Sequence, residues 1–234
     1  MVSNSYVIRI KDHEESEKHA DALIESSLSV ENSFQIQKFD ATTSEQVPSM
    51  LSKERIEWTY PWDGEIRDMR SGLTLRGYET AVPSKRIACF FSHYRIWKDV
   101  VETNEPTLVF EHDAIFTKKL NVDLISKSRY DIIGINDPRG ATRLSGLYWK
   151  KLQNFPQKIV PVPSIDDHQV PQGLPGNSAY YIKPAGAKKL LELVKEHGAW
   201  PNDAIMCRQL MPSKLGVLRT SVTTIQKGNS TTTL

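Results

Sequence analysis

Apolar positions along this chain of 234 residues recur with two different periods, and the switches between them outline its elements. Residues 6–10 form a short apolar run that predicts a buried strand. The stretch DHEESEKHADALIESS that follows is helical in period, with Ala20, Leu23, Ile24 and Leu28 on one face. Residues 34–39 alternate again and end on Asp40-Ala41-Thr42. This β-α-β opening predicts a parallel sheet. A longer helix over residues 85–102 presents Ile87, Phe90, Tyr94, Trp97 and Val101, and Asn104-Glu105-Pro106 stops it. Strands are expected at 107–110, 130–135 and 178–182. Pro184 opens a helix that ends at Gly198, and Trp200-Pro201-Asn202-Asp203 opens another. The tail predicts one more strand and then a polar end. Residues 42–82 and 141–176 keep no period, apart from a short helix near 47–55. The expectation is a single α/β domain over residues 1–234, with a mostly parallel sheet flanked by helices and two irregular insertions.

The strand at 107–110 leaves the sheet through Glu111-His112-Asp113. Successive strand side chains point to opposite faces, so continued extension would put Glu111 and Asp113 together and His112 opposite. Open α/β sheets take ligands at the carboxyl ends of their strands, and two carboxylates there suit a divalent cation carrying a phosphorylated ligand. A strand running into an acidic turn is the alternative.

Charge narrows the partners. Thirty Lys+Arg against 28 Asp+Glu give a net charge of +2, and the basic residues fall in scattered pairs such as Lys118-Lys119 and Lys188-Lys189. That balance disfavours nucleic acid as a partner. Nothing in the spacing of Cys89 and Cys207 suggests a disulfide framework or a zinc site, and Cys89, on an apolar helix, is expected as a buried free thiol. No apolar run is long enough to span a bilayer, and the first residues lack a signal-like core. A cytoplasmic location is expected, with peripheral membrane contact left open for a lipid-linked acceptor.

Several segments together resemble glycosyltransferase family 25. Residues 85–101, KRIACFFSHYRIWKDVV, are similar to that family's helix with an A-C-x-x-S-H-x-x-x-W core, and PTLVFEHDAIF to its strand closing on Glu-Asp-Asp. Phe39-Asp40-Ala41, the block from Gly176-Asn177 to Ile182, Trp200-Pro201-Asn202-Asp203, and Gln226 with Asn229 and Ser230 resemble further family segments in the same order. His112 departs from the pattern, standing where the family has its middle acid.

The resemblance implies a GT-A-like, Rossmann-type fold and transfer of galactose or glucose from a UDP-sugar to a saccharide or other hydroxyl acceptor, with inversion. It implies Mn²⁺ or Mg²⁺ at Glu111 and Asp113, the ion offsetting charge on the departing diphosphate. Asp203 is the implied general base, and Asp40, His93, Glu111, Asp113, Asn177 and Gln226 the implied donor-binding residues. Asp203 as a helix cap, His93 as a packed core histidine, and Asp166-Asp167-His168 as a rival acidic cluster stay open. So do two other functions: a non-catalytic sugar-nucleotide binder derived from such an enzyme, and a DNA-base glycosyltransferase of viral type.

Overall fold

The computed structural model of the protein describes residues 4–77 and 80–226. Its centre is a sheet of seven strands: β1 (Asn4–Arg9), β2 (Gln37–Asp40), β5 (Thr107–Glu111), β7 (Ile132–Gly134), β8 (Ile159–Pro161), β9 (Ala179–Ile182) and β10 (Leu215–Leu218). Their spatial order is β2-β1-β5-β9-β7-β10-β8. β1 is parallel to both β2 and β5, and β10 is parallel to β7. β9 runs antiparallel between β5 and β7, and β8 antiparallel to β10. Five of the seven strands therefore point the same way, as the opening β-α-β pattern predicts.

Strand alternation divides the core in two. Ile8, Val109, Ile132, Tyr180 and Ile182 face α3 (Pro83–Thr103) and α6 (Pro184–His197). Their neighbours Val7, Leu108, Phe110, Ile133 and Tyr181 face the opposite layer, with α1 (Glu14–Ser29). α3 carries the long expected face but rotated: Val100 is fully buried, while Val101 is exposed. On α1, Leu28 points to solvent and Ser16 and Ser27 are buried instead. Ser16 fits because its Oγ accepts a hydrogen bond from the Ile10 amide at 2.8 Å. A hydroxyl bonded to backbone can occupy a core position that an apolar period does not mark.

The stretches without period contain small elements. Residues 42–82 fold into a 3₁₀ turn (Ser44–Gln46), α2 (Val47–Glu54) and a hairpin of β3 (Glu65–Arg67) and β4 (Thr74–Arg76). Residues 141–176 contribute α5 (Ser145–Gln153) and β8. The connections between these contain β6 (Ala114–Phe116), α4 (Val122–Ser126) and the four-residue α7 (Asn202–Ile205). The tail supplies β11 (Thr223–Ile225) as well as β10, and β11 pairs with β6 beside the acidic turn. Among the described residues no helix is long and apolar enough to cross a membrane.

Candidate active site

β5 ends at Glu111, and His112-Asp113 form a turn into β6. The chain thus takes the acidic-turn course, and simple alternation stops one residue short of the expected pair. Gln226 fixes this turn. Its backbone N–H donates to the Asp113 carbonyl at 2.7 Å, and its Nε2 donates to the carbonyls of His112 (3.2 Å), Ala114 (3.0 Å) and His19 (2.9 Å). Expected as a donor ligand or lid residue, Gln226 is instead a staple with its amide protons engaged by backbone. Asn229 and Ser230, its expected companions, lie outside the described residues.

Glu111 is oriented from α3. The Glu111 Oε1 lies 3.2 Å from His93 Nε2, and His93 Nδ1 lies 2.9 Å from the Tyr180 hydroxyl. Trp97 Nε1, which can only donate, reaches the same hydroxyl at 3.0 Å. The Tyr180 oxygen accepts from Trp97, leaving its O–H for His93 Nδ1, so Nε2 carries the proton facing the carboxylate. The reverse tautomer would set two lone pairs against each other. The Ser92-His93 pair therefore has two separate tasks. His93 is 1% exposed and holds Glu111, while Ser92 Oγ accepts from the Thr42 amide at 2.9 Å and ties the loop after β2 to α3.

Asp113 has one buried carboxylate oxygen, Oδ1, with no hydrogen-bond partner among the described residues. Burial, then the Glu111 charge, raise its pKa to about 7. His112, expected on the face away from the pair, stands with Glu111 in the wall of a cavity at the strand ends, and Asp113 is not among that cavity's described lining residues, because the turn after Glu111 breaks the strand alternation. The His112 ring stacks on His19 at 6.0 Å, and burial lowers its pKa.

This cavity, of about 460 Å³, opens at the carboxyl ends of β1, β2 and β5, with Thr42, Ser44, Lys85, Cys89, His93 and Glu111 in its wall. Glu15 and Glu45 line it as well, so three carboxylates with Glu111 stand against Lys85, the one lysine or arginine among the described lining residues. Cys89, expected in the core, faces this cavity through its place one helical turn before His93. Burial first, then Glu111, Asp203 and Asp113, hold its thiol pKa well above the ordinary value.

A second cavity, also about 460 Å³, is walled by both irregular stretches, including Tyr60, Arg76, Tyr148 and Gln172, with Asp203 at its edge. Asp203 is in the first turn of α7, whose cap position is Pro201, so it is not the helix cap. Burial and then the Asp203 charge raise the Tyr60 phenol. Gly173 lets the second stretch close onto this segment, since a Cβ there would sit 2.1 Å from the Met206 carbonyl oxygen.

The sequence profile of glycosyltransferase family 25 (LPS biosynthesis protein) matches residues 2–206. The chain belongs to this family. It is accordingly a glycosyltransferase, with a sugar donor and an acceptor as substrates. No curated protein sequence matches it. Solved structures with a similar course include mouse xyloside xylosyltransferase 1 in its apo form, at 11% identity and TM-score 0.45, over 92% of this chain and 84% of that one. An active-site mutant of LgtC aligns at 7% identity and TM-score 0.44, over 97% and 88% of the two chains. The bifunctional glycosyltransferase WbbM, in an apo structure, aligns at 10% identity and TM-score 0.42, over 92% of this chain and 38% of that one. No residue role is carried over from these distant chains.

In this glycosyltransferase the expected site residues separate into two groups. Glu111 and His93 lie with Cys89, their ligand atoms within 4.8 Å of one another, while Asp113 follows in the turn after β5 and Asp203 lines the second cavity. Asp40 does not line the cavity: its carboxylate pairs with Arg9 at 2.8 Å, and residues 41–44 form the wall instead. Asn177 is fully buried at a positive φ of 37°, with its Nδ2 toward the Met206 sulfur, behind the cavity walls rather than in them. In the rival cluster, Asp166 pairs with Arg76 at 3.0 Å, while Asp167 holds loop backbone and faces the His168 ring at 3.4 Å. Sequence reading missed Tyr180 and Trp97 as supports. The i, i+4 spacing of Cys89, His93 and Trp97 on one helix face was the available signal.

Proposed function

We propose that this glycosyltransferase moves a hexose, galactose or glucose, from a UDP-sugar to a hydroxyl of a saccharide acceptor, with inversion at the anomeric carbon. The supporting observation is the grouping of Glu111 with His93 and Cys89 in the wall of a cavity at the strand ends, with Asp203 lining a second cavity between the irregular stretches. The first cavity takes the donor and the second the acceptor.

The residues fit a divalent cation. A diphosphate entering the first cavity meets Glu15, Glu45 and Glu111 with Lys85 as counter-charge, and Asp113 holds an unpartnered oxygen beside Glu111. Glu111 and Asp113 would hold Mn²⁺ or Mg²⁺, which supplies Lewis-acid neutralisation of the leaving diphosphate when bound. His93, backed by Tyr180 and Trp97, keeps Glu111 in place. Asp203 takes the proton of the acceptor hydroxyl as its oxygen bonds to the anomeric carbon and the bond to the β-phosphate oxygen breaks, releasing UDP.

Calorimetry of UDP binding, with and without Mn²⁺, tests this reading. Mn²⁺-dependent binding that is lost in Asp113→Ala, together with UDP release from a UDP-hexose, is the expected result. Absence of UDP binding in the presence of Mn²⁺ overturns it.

A further inference from the structure

Cys89 and His93 lie one turn apart on α3 and turn toward the same wall as Glu111 at the end of β5. One ligand atom from each, the thiol sulfur, an imidazole nitrogen and a carboxylate oxygen, lies within 4.8 Å of the other two. We propose that these three side chains form a binding site for one thiophilic divalent cation of the zinc type, distinct in its donor set from the carboxylate pair assigned to Mn²⁺ or Mg²⁺.

The chemistry of the donors decides the class of ion. Sulfur and imidazole nitrogen select zinc-like ions over magnesium or manganese, which prefer all-oxygen surroundings. Tetrahedral zinc needs its ligand atoms about 3.5 Å apart, so a contraction of about 1 Å from the present spacing would complete the site. His93 Nε2 and Glu111 Oε1 already stand at 3.2 Å. The outer support exists as well. With Nε2 on the metal, His93 Nδ1 carries the proton and donates to the Tyr180 oxygen at 2.9 Å, the arrangement that orients metal-bound imidazoles generally. Asp203 and Asp113 add negative potential at the sulfur, and the cavity gives the ion a way in. Three protein ligands leave the fourth position to water or substrate. As the metal–sulfur bond forms, the thiol proton leaves to solvent. An ion held there engages Glu111, so it competes with the hard cation and inhibits transfer.

Titrating the reduced full-length chain with Co²⁺ tests the site, because cobalt bound to a thiolate has a near-ultraviolet charge-transfer band. One equivalent is expected to raise the band, and Zn²⁺ to abolish it by displacement. Cys89→Ser is expected to remove the band and Cys207→Ser, at a fully buried position elsewhere, to keep it. A native chain without the band, or a band that survives Cys89→Ser, overturns the proposal. Should Cys89→Ser fail to fold, alkylation of the native chain replaces it: Zn²⁺ is expected to slow modification of Cys89 at least tenfold, and an unchanged rate overturns the site. Asp113→Asn is expected to lose Mn²⁺-dependent UDP binding while keeping the cobalt band, so the thiophilic site and the transferase reading fail separately.

Discussion

The two cavities have similar volumes but opposite construction. The cavity at the strand ends is made where regular elements end: β1, β2 and β5 stop at its floor, and α3 supplies Ser92, His93 and Cys89 from successive turns. The second cavity is made from the two stretches without period, held together by such contacts as Tyr148 Oη to the Gly173 carbonyl at 3.1 Å and Arg76 to Asp166. The contrast separates two design problems. A diphosphate and its cation need fixed charges at fixed positions, which strand ends and helix faces supply. Recognition of a variable acceptor tolerates loops, and loops can be exchanged without disturbing the sheet.

The sharpest way to break the contrast is Asp203→Asn. If the second cavity is where the acceptor loses its proton, kcat falls by about 10²–10⁴, while calorimetry finds UDP and Mn²⁺ binding unchanged. A parallel loss of UDP affinity would place Asp203 with the donor instead. Next in size are Gln226→Ala and Tyr180→Phe, which leave every carboxylate in place and loosen its support. Each is expected to weaken Mn²⁺ binding by about 10–100-fold, read by titration, with acceptor KM unaffected.

Gly173→Ala strains the wall of the second cavity, the proposed acceptor side. A Cβ 2.1 Å from the Met206 carbonyl forces the second stretch outward, at a stability cost of about 1–3 kcal/mol. Thermal unfolding is expected to show this, with acceptor KM raised and UDP affinity retained. The mildest effect is a pH dependence. The pKa of Asp113, ordinarily 3.8, is raised to about 7 in the folded chain by burial and by Glu111. Between those values the native state keeps a proton that the unfolded chain has released. The metal-free protein therefore loses stability as pH rises from about 4 to about 7, and Asp113→Asn flattens that slope in a series of melting curves.

What the sequence disclosed follows the same division. The β-α-β opening, the α3 face and the Glu111 exit were legible because each rests on local period or on contiguous residues. Val101 and Leu28 were assigned to the core, yet their neighbours Val100 and Ser27 are buried instead, because apolar period fixes a face only to within a residue. β8 has three residues and exists through pairing with β10, more than fifty positions later. No local signal marks it. Gln226 and Tyr180 were invisible in their real roles for the same reason: their partners, backbone carbonyls at 19, 112 and 114 for one and two α3 side chains for the other, are brought near only by the completed sheet.

The Gln226 staple has a bearing on the order in which the molecule matures. Its amide joins points 207, 114 and 112 positions back along the chain, and contacts of such reach form late, since loop closure must precede them. During synthesis β5 and α3 can meet well before residue 226 emerges. The acidic turn then lacks its backbone staple until β11 docks beside β6.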